Sequence, residues 1–584
     1  MPKVWKLPLH DTDRIAALSR ELQVPAVLAQ LLLNRGITKP DQARSFLAPS
    51  LTGLHDPALL PNAPEAADRI VQAIRGGRRI VIYGDYDVDG VCGSAILIEC
   101  LKLAGADVRF YVPHRMEEGY GLNSTALQTI RENEQANVVV TVDCGIASCA
   151  EARMARELGL ELIVTDHHEF GNELPAADCL VHPRLPGSSY PFGGLSGAGV
   201  AFKLAWAVAQ QVDGAKRVSP QFREFLLQAV TLAALGAVAD VVPLCDENRV
   251  LVHYGLVSLR ERPSLGLREL MATAELSDAN NGKVKKLDAE DIAFRLAPRI
   301  NAAGRMGQAR LAVELLTTRN ETRARELARY LHGQNEQRQT VERRIYREAK
   351  ELVEQEHDLD RDRAIVVAKR DWHVGVIGIV ASRLVEHFWR PAFLISLNDA
   401  VAQGSGRSIP GFDLYKALHA CGEWLEGYGG HAMAGGLKVR PDRVAEFRAA
   451  FCEHAAQHLV ATDLIEQLRI DAEVPLGDVT PRLVRDIENL APFGAGNRRP
   501  LLMAARVELA APAKRIGGGE RHLSFRIRQS GASARAVAFG MGERADELQP
   551  GKRYDVAFSP QINTYQGFSS VDLHVKDFRS CEPV

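Results

Sequence analysis

Three aspartates at alternate positions, Asp85, Asp87 and Asp89, are the first residues whose spacing suggests chemistry. They lie in the stretch RRIVIYGDYDVDGVCGSA, directly after a run of β-branched and aromatic residues. Carboxylates crowded beside glycines are typical of a metal-binding loop. The calcium loop of an EF-hand also begins D-x-D-x-D-G, but it ends in a glutamate where this chain has Ile96, and it follows a helix rather than a strand. An EF-hand is therefore excluded.

Two further predicted strands and one apolar helix also end in potential ligands. Asp143 ends NVVVTVDCGI, Asp166, His167 and His168 end ELIVTDHHEF, and Asp240 ends LGAVADVVPL. The carboxyl ends of parallel strands meet at one edge of a sheet. Taken alone, each aspartate is explained by a turn or a helix cap, and Asp166 by orienting the two histidines. Turns and helix caps would not require so many acidic residues at one edge of the sheet, so the residues taken together predict a metal site.

The donor set indicates which metal and which reaction to expect. Oxygen ligands with one or two imidazoles suit Mn²⁺ or Mg²⁺ better than a structural zinc ion. Five carboxylates and a histidine can hold two ions that share one bridging aspartate. Two such ions activate a water and stabilise a leaving phosphoryl oxygen. The sequence therefore predicts hydrolysis of a phosphate ester by two divalent cations.

The elements that must position these residues alternate between short β-branched runs and helices from about residue 66, which predicts βαβ units and a mainly parallel sheet. Residues from about 310 to 360 are highly charged with apolar residues at helical spacing, which predicts a long connecting helix. A second, smaller α/β unit and a β-barrel of short strands follow. We expect five segments: an N-terminal helical segment, a first α/β domain, the connecting helix, a second α/β domain and an all-β barrel, at residues 1–60, 61–308, 309–362, 363–458 and 459–584.

The bulk composition is that of an ordinary globular protein, with 46% hydrophobic and 25% charged residues among 584 and a net charge of -2. Nine cysteines without a CxxC pair argue against a disulfide framework or a zinc ribbon. The N-terminal residues lack the apolar core of a signal peptide, and the apolar helix Phe225–Ala239 looks too short to span a bilayer. We expect a soluble cytoplasmic protein.

The motifs YGDYDVDGVCGSA, VVVTVDCGI, VTDHHEF and GAVADVVPL resemble, in order, the four motifs of the DHH phosphoesterases. The resemblance continues through RLAPRINAAGRMG, WHVGVIGIVASRL, GSGRS, GGHAMAGG and LAPFGAGN, and is greatest to the bacterial single-strand-specific 5′→3′ DNA exonucleases of that family. It implies a DHH domain, a long helix, a DHHA1 domain and an OB-fold. It also implies a monomer acting in repair and recombination, with single-stranded DNA, a single-strand-binding protein and a helicase as partners.

Roles follow from the resemblance motif by motif. Asp143 would bridge two metal ions, and Asp85 would be a further ligand at a position where other branches of the family carry a different residue. His168 would contact substrate phosphate or support the ligands. The remaining implied ligands are Asp87, Asp89, His167 and Asp240. The catalytic set is expected to comprise Asp143, His167, His168 and Arg299.

A 5′ exonuclease must also grip the end of its strand, and arginine suits bidentate phosphate contact. The resemblance makes Arg115, Ser405 and Arg407 a 5′-phosphate pocket, with GSGRS predicted as a glycine-rich turn whose amides form an anion nest. Without the resemblance, a surface charge and a flexible turn would explain them. Further candidates for phosphate or DNA contact are Arg299, Asn301, Arg305 and His431.

The chain as a whole is not basic, but the predicted C-terminal barrel contains a locally basic segment. Residues 498–528 contain eight Arg or Lys against two acids. A basic groove with aromatic faces is how OB-folds hold single strands. We expect Phe525 and Phe539 in the barrel core, and Tyr565 and Phe568, in the NTYQGF turn, as stacking residues.

Three other functions compete with a single-strand-specific DNA exonuclease. A DHH–DHHA1 phosphodiesterase of short oligoribonucleotides or cyclic dinucleotides shares the metal motifs, but the added barrel favours a longer polymer. A pyrophosphatase would need neither the barrel nor a second basic face. A non-catalytic scaffold would have lost ligands that are present here.

Overall fold

The computed structural model describes residues 3–115, 118–278, 284–398, 400–565 and 568–581. The chain folds into two compact units. The first comprises Met1–Lys3, Asp56–Asp240 and Tyr254–Glu466, and the second comprises Val4–His55, Val241–His253 and Gln467–Val584. The five predicted segment boundaries stay predictions.

The N-terminal residues form one short strand and three helices that belong to the second unit. These elements are β1 (Val4–Lys6), α1 (Thr12–Leu22), α2 (Ala26–Leu33) and α3 (Pro40–Leu47). Helix α2 is apolar on most of its surface, and Leu28, Leu31 and Leu32 are buried. A helix with so little polar surface must be enclosed, and the enclosing partner comes from the other end of the chain.

A five-stranded parallel sheet forms the centre of the first unit, in the order β3-β2-β4-β5-β6. Its strands and helices are α4 (Ala63–Arg75), β2 (Ile80–Gly84), α5 (Val88–Leu103), β3 (Val108–Tyr111), α6 (Ser124–Asn133), β4 (Val138–Val142), α7 (Cys149–Glu157), β5 (Glu161–Thr165) and β6 (Cys179–Val181). Every residue of β2 and β4 is buried, as expected for strands covered on both faces. The chain reverses its direction of winding between β2 and β4, which is where open α/β sheets bind ligands.

The helices that follow are α8 (Gly197–Asp213), α9 (Pro220–Ala239), α10 (Asp246–Glu261), α11 (Leu265–Thr273), α12 (Ala289–Asp291), α13 (Ala297–Arg305) and α14 (Ala309–Thr317). They belong to the first unit, except that the residues of α10 up to His253 are part of the second. Helix α9 has 20 residues, five more than the sequence suggested, because it begins at Pro220. Its length and hydropathy would fit a membrane span, but 61% of that window is buried inside the protein.

The predicted long helix is confirmed as α15 (Glu321–Glu356), which at 36 residues is about 54 Å long. It does not extend back to residue 309, because Asn320 caps its N-terminus by accepting a hydrogen bond from the backbone N–H of Arg323 (3.0 Å). Its C-terminal part packs Ile345, Ala349 and Val353 into the core of the second α/β half.

The second α/β half of this unit has a five-stranded mixed sheet in the order β10-β11-β9-β8-β7. Its elements are β7 (Ile365–Arg370), α16 (Val374–Phe388), β8 (Ala392–Leu397), β9 (Ala402–Arg407), α17 (Leu414–Ala420), β10 (Gly427–His431), β11 (Ala434–Val439) and α18 (Val444–His458). Strand β9 is hydrogen-bonded to β8 on one side and β11 on the other.

The predicted OB-fold is confirmed in the second unit as a closed barrel of five strands, in the order β14-β15-β16-β18-β17 with β17 returning to β14. The elements are β12 (Gln467–Arg469), β13 (Ala472–Glu473), α19 (Pro481–Glu488), β14 (Leu502–Ile516), β15 (His522–Gln529), β16 (Ala532–Ala538), β17 (Arg553–Tyr565) and β18 (Phe568–Ser580). The buried leucines of α2 share one hydrophobic core with the barrel, and β1 pairs in parallel with β12.

Candidate metal centre and phosphate pocket

The predicted carboxylates and histidine meet beyond the carboxyl ends of β2, β4 and β5. Asp87 caps α5, its Oδ1 accepting from the backbone N–H groups of Asp89 (2.8 Å) and Gly90 (3.1 Å). Asp89 therefore lies in the first helical turn rather than in a loop. Asp143 follows β4 with a positive φ of 65° and is buried.

The donor atoms form three groups of three, each with its atoms within 4.8 Å of one another. Two of these groups share no residue, and the third, Asp143, His167 and His168, has a residue in common with each of them. His167 Nε2 is the centre of one group, at 3.7 Å from Asp89 Oδ2 and 3.6 Å from Asp240 Oδ2. The same nitrogen is 3.0 Å from Asp143 Oδ1, which links the two groups. The other group comprises Asp85, Asp87 and Asp143.

Asp89 is held in place by the N-terminus of α8. Its two carboxylate oxygens accept hydrogen bonds from the backbone N–H groups of Gly197 (2.6 Å) and Ala198 (2.9 Å). The positive end of the helix dipole favours a negative charge at this position. A Cβ on Gly197 would lie 2.6 Å from Asp143 Oδ1, and one on Gly236 in α9 would lie 2.2 Å from Asp89 Oδ1. The absence of a side chain at both positions lets the two helices approach the cluster.

Asp166 orients the two histidines, as its place directly before them in the sequence suggests. Its Oδ1 accepts from the backbone N–H groups of His167 (2.7 Å) and His168 (3.1 Å) and from His168 Nδ1 (2.8 Å). Its Oδ2 accepts from the N–H of Ile146 (3.0 Å). Although burial opposes ionisation, these bonds lower the pKa of Asp166 to about 2. It is thus a fixed anion behind the ligands.

The electrostatics of the cluster fit divalent cations. Burial and the neighbouring carboxylates raise the pKa of Asp89 to about 7 and that of Asp240 to about 8, so negative charge is strongly opposed there. Burial and nearby His168 lower the pKa of His167 to about 3, which keeps its imidazole neutral, as a metal ligand must be. Asp85 Oδ1, Asp143 Oδ1 and His167 Nε2 are buried without a hydrogen-bond partner among the described residues. Cations would compensate the charge and satisfy these atoms.

A cluster of guanidinium groups lies beside the carboxylates. Arg115 stacks on the ring of Tyr86, 4.7 Å from its centroid. Burial and the neighbouring charges of Arg115, Arg338 and Arg407 lower the pKa of Arg305 to about 10. Burial and Arg115 also lower the pKa of Arg407. Like charges this close are stabilised by an anion, so the arrangement suits a phosphate.

The predicted anion nest at GSGRS is wrong, because residues 404–407 lie in strand β9 and not in a turn. Their backbone pairs with β8 and β11, which leaves no concave set of free amides. The glycines serve packing: a Cβ on Gly406 would lie 2.5 Å from the ring of Phe393. Ser405 and Arg407 nevertheless come together through their side chains, with Arg407 Nη1 donating to Ser405 Oγ (3.3 Å).

The other residues predicted to contact phosphate or DNA lie in different environments. Asn301 Oδ1 accepts from the backbone N–H of Val88 (3.1 Å), which braces the start of α5 beside Asp87. Arg305 donates to the carbonyl of Gly375 (2.9 Å). The hydrogen bonds of Arg299 go to the carbonyls of Arg295 and Thr273 and to His332 Nδ1 instead of to the cluster. His431 is exposed at the end of β10.

The barrel confirms one core prediction and corrects another. Phe525 is buried as expected, but Phe539 is 55% exposed, lying between the rings of His522 (5.4 Å) and His574 (5.3 Å). In β16 the even-numbered alanines face the core and Ser533 and Arg535 face outward, so Phe539, directly after the strand, continues on the outward side. The side chains of Tyr565 and Phe568 lie outside the described residues.

The basic residues of the barrel are partly neutralised by acids. A groove of about 1640 Å³ is lined by Arg506, Arg528, Arg553 and Arg579 together with three acidic residues. Within it, Arg528 and Arg553 share the carboxylate of Glu508 at 3.2 and 3.3 Å. Sequence counts alone did not reveal this pairing.

The fold and the site together define a DHH phosphoesterase. Family models match the chain as a DHH family N-terminal domain at residues 79–233, a DHHA1 domain at 362–457 and a RecJ OB domain at 470–577. The chain belongs to the RecJ family. The single-stranded-DNA-specific exonuclease RecJ of Bacillus subtilis is 38% identical over 575 residues, spanning 98% of this chain and 70% of that protein.

Other members of the family give the same result. The RecJ of Thermus thermophilus is 37% identical over 532 residues, covering 90% of this chain and 72% of that one. The crystal structure of Thermus thermophilus RecJ in complex with Mn²⁺ superposes with a TM-score of 0.83 at 33% identity, covering 100% of this chain and 80% of that chain. A Mg²⁺ complex of the same protein has a TM-score of 0.76 at 30% identity, covering 99% of this chain and 79% of that chain.

Proposed function

We propose that this protein is a single-stranded-DNA-specific 5′→3′ exonuclease that hydrolyses phosphodiester bonds with two divalent cations, Mn²⁺ or Mg²⁺. The observation that carries the proposal is the pair of three-donor groups linked through Asp143, adjacent to the arginine cluster. A metal centre beside a phosphate pocket is what removal of a terminal nucleotide requires. Family membership supports the activity, with repair and recombination as its setting in the cytoplasm.

The ligands divide into two sets. Asp85, Asp87 and Asp143 would hold one cation, and Asp89, His167 and Asp240 the other, with Asp143 near enough to both to bridge. When bound, the ions supply a nucleophilic hydroxide and stabilise charge on the leaving oxygen.

The protein's own groups prepare the site for this chemistry. The α8 amides and the Asp166 hydrogen bonds hold Asp89 and the histidines in position before substrate arrives. The His168 side chain is 32% exposed, against 11% for His167, so His168 is the imidazole that can contact a substrate phosphate. Its Nδ1 is hydrogen-bonded to Asp166, and this bond overcomes the effect of burial and raises the pKa of His168 to about 9.

The arginines would determine where hydrolysis occurs. Arg115, Ser405 and Arg407 form the proposed 5′-phosphate pocket, and Arg305 adds positive charge that interacts with Arg115, Arg407 and Asp87. A 5′-phosphate bound there places the next phosphodiester towards the metal centre. The OB-fold barrel would bind the strand that follows, and a single-strand-binding protein and a helicase are proposed partners of a monomer.

The test uses a 5′-phosphorylated single strand labelled at its 3′ end, with Mn²⁺, Mg²⁺ or chelator, and with duplex and RNA strands in parallel. Wild-type protein should shorten the DNA from its 5′ end only when metal is present, and Asp143→Ala should abolish this. Asp41→Ala, which removes the same side chain from an exposed position in α3, should behave as wild type. Degradation from the 3′ end, or activity confined to short RNA, would overturn the proposal.

A further inference from the structure

Tyr120 lies in a turn shortly before α6 and is not among the site residues that the sequence predicts. Gly119 and Gly121 on either side have φ values of +84° and +87°, in the left-handed region that favours glycine. The buried hydroxyl of Tyr83 donates to the carbonyl of Gly121 (2.9 Å), which fixes the turn to the sheet. Asn123 then caps α6 through the N–H of Ala126 (2.7 Å). The backbone that carries Tyr120 is therefore anchored on its C-terminal side.

The Tyr120 side chain combines a tethered tip with an exposed ring. Its hydroxyl lies 3.3 Å from the carbonyl oxygen of Asp143 and 3.2 Å from His168 Nδ1. Tyr120 is nevertheless 55% exposed. A tyrosine that served the core would be buried, and one that served only solubility would lack these contacts. An exposed aromatic ring that is held in one position can stack on a flat ligand such as a nucleic-acid base.

The Tyr120 ring lies next to both parts of the site, the metal centre and the proposed phosphate pocket. On one side Tyr120 meets the ring of His168, with centroids 5.7 Å apart. On the other it meets the ring of Tyr86 edge-on at 6.4 Å, and Tyr86 carries Arg115 on its face. Tyr120 thus lies between the metal centre and the proposed 5′-phosphate arginine, where the nucleoside joining the two phosphates must pass.

We propose that the Tyr120 ring is the stacking platform for the base of the 5′-terminal nucleotide. The inference rests on the proposed function and adds the group that positions the terminal nucleoside. Stacking is tolerant of sequence because every base has a flat π-face. An aromatic platform therefore suits an enzyme that must accept each base in turn as the strand shortens.

The test compares two 5′-phosphorylated single strands that differ only in whether the terminal residue carries a base or is an abasic tetrahydrofuran. Wild type should have a kcat/KM about tenfold higher for the strand with a base, equivalent to ~1.4 kcal/mol. In Tyr120→Ala, kcat/KM should fall only for the strand with a terminal base, so that the tenfold preference is lost. Tyr120→Phe, which keeps the ring, should retain it. Tyr330→Ala, at another exposed tyrosine on α15, is the matched control and should leave the preference unchanged.

Equal slowing of Tyr120→Ala on both strands would overturn the inference, because it would assign the residue to supporting His168. A loss of preference in Tyr120→Phe, or no preference in wild type, would also overturn it. Calorimetry with deoxyadenosine 5′-monophosphate and 2-deoxyribose 5-phosphate measures the same base contribution without cleavage. If wild type cleaves neither strand, the proposed function fails, and the calorimetric comparison alone decides the role of Tyr120. Tyr120→Leu replaces the alanine variant if that one does not fold.

Discussion

Gly236→Ala is expected to damage the metal centre through a single added carbon. Gly236 lies inside α9, where glycine is less stable than alanine by about 0.5–1 kcal/mol, so an ordinary helix would gain from the change. The new Cβ would lie 2.2 Å from Asp89 Oδ1 and 2.6 Å from the Ala198 Cβ. Since ordinary contacts begin near 3.4 Å, the Asp89 oxygen must move by about 1 Å.

That movement opposes the bonds that hold Asp89. The carboxylate accepts from Gly197 and Ala198 at 2.6 and 2.9 Å, and a hydrogen bond to a charged group contributes about 1.5–3 kcal/mol. Losing one of them, with a ligand displaced by an ångström, should lower kcat/KM by about 10²-fold. The affinity for Mn²⁺ should fall about tenfold or more, since 1.4 kcal/mol is a factor of ten.

The assay pairs Mn²⁺ calorimetry with exonuclease rates on labelled single-stranded DNA. Gly333→Ala is the matched control, because a Cβ at that position on α15 meets nothing within 4 Å. It should raise the melting temperature slightly and leave activity unchanged. Adding Ala198→Gly to Gly236→Ala removes the contact with the Ala198 methyl but not that with Asp89, so activity should stay low. Wild-type Mn²⁺ affinity and rate in Gly236→Ala would refute the reasoning.

Three further perturbations test other parts of the site. Arg407→Ala should reduce the preference for a 5′-phosphate over a 5′-hydroxyl about 10–100-fold, through loss of a charged contact; an unchanged ratio of the two rates would remove Arg407 from the pocket. Asp166→Asn should lower kcat about 10–100-fold in single-turnover kinetics, because an amide cannot accept from all of its present donors; a change in KM alone would contradict this. Asp89 and Asp240, with pKa values of about 7 and 8, hold protons below neutral pH, so Mn²⁺ binding should release protons and tighten from pH 6 to 8. Calorimetry in buffers of different ionisation enthalpy measures the release, and a pH-independent affinity would contradict it.

The metal cluster could be predicted from the sequence because its ligands follow strand ends or end a helix. Asp143 comes directly after one apolar β-branched run and His167 two residues after another, and parallel strands bring such ends together. What holds them could not be predicted in the same way, because the α8 amides that bind Asp89 are more than 100 residues away in the chain.

The errors arose where local composition conflicted with tertiary packing. GSGRS has the composition of a flexible turn, but its glycines make room for neighbouring side chains such as the Phe393 ring inside a sheet. Phe539 was expected in the core because it is aromatic, but it has the outward parity of Ser533 and Arg535 in β16 and is exposed. The first outcome depends on neighbours that are distant in the chain, and the second on which face of the strand is inward.

The shared core of the second unit has a consequence for synthesis on the ribosome. Val4–His55 is made before the barrel that covers the leucines of α2, and the segment that contains the barrel begins at Gln467, about 410 residues later. At about 5–20 residues per second, roughly 20–80 s pass before that partner emerges. During this interval the first unit can fold while the apolar surface of α2 lacks its partner. We expect nascent chains to need a chaperone at this segment, and a barrel expressed without residues 4–55 to aggregate.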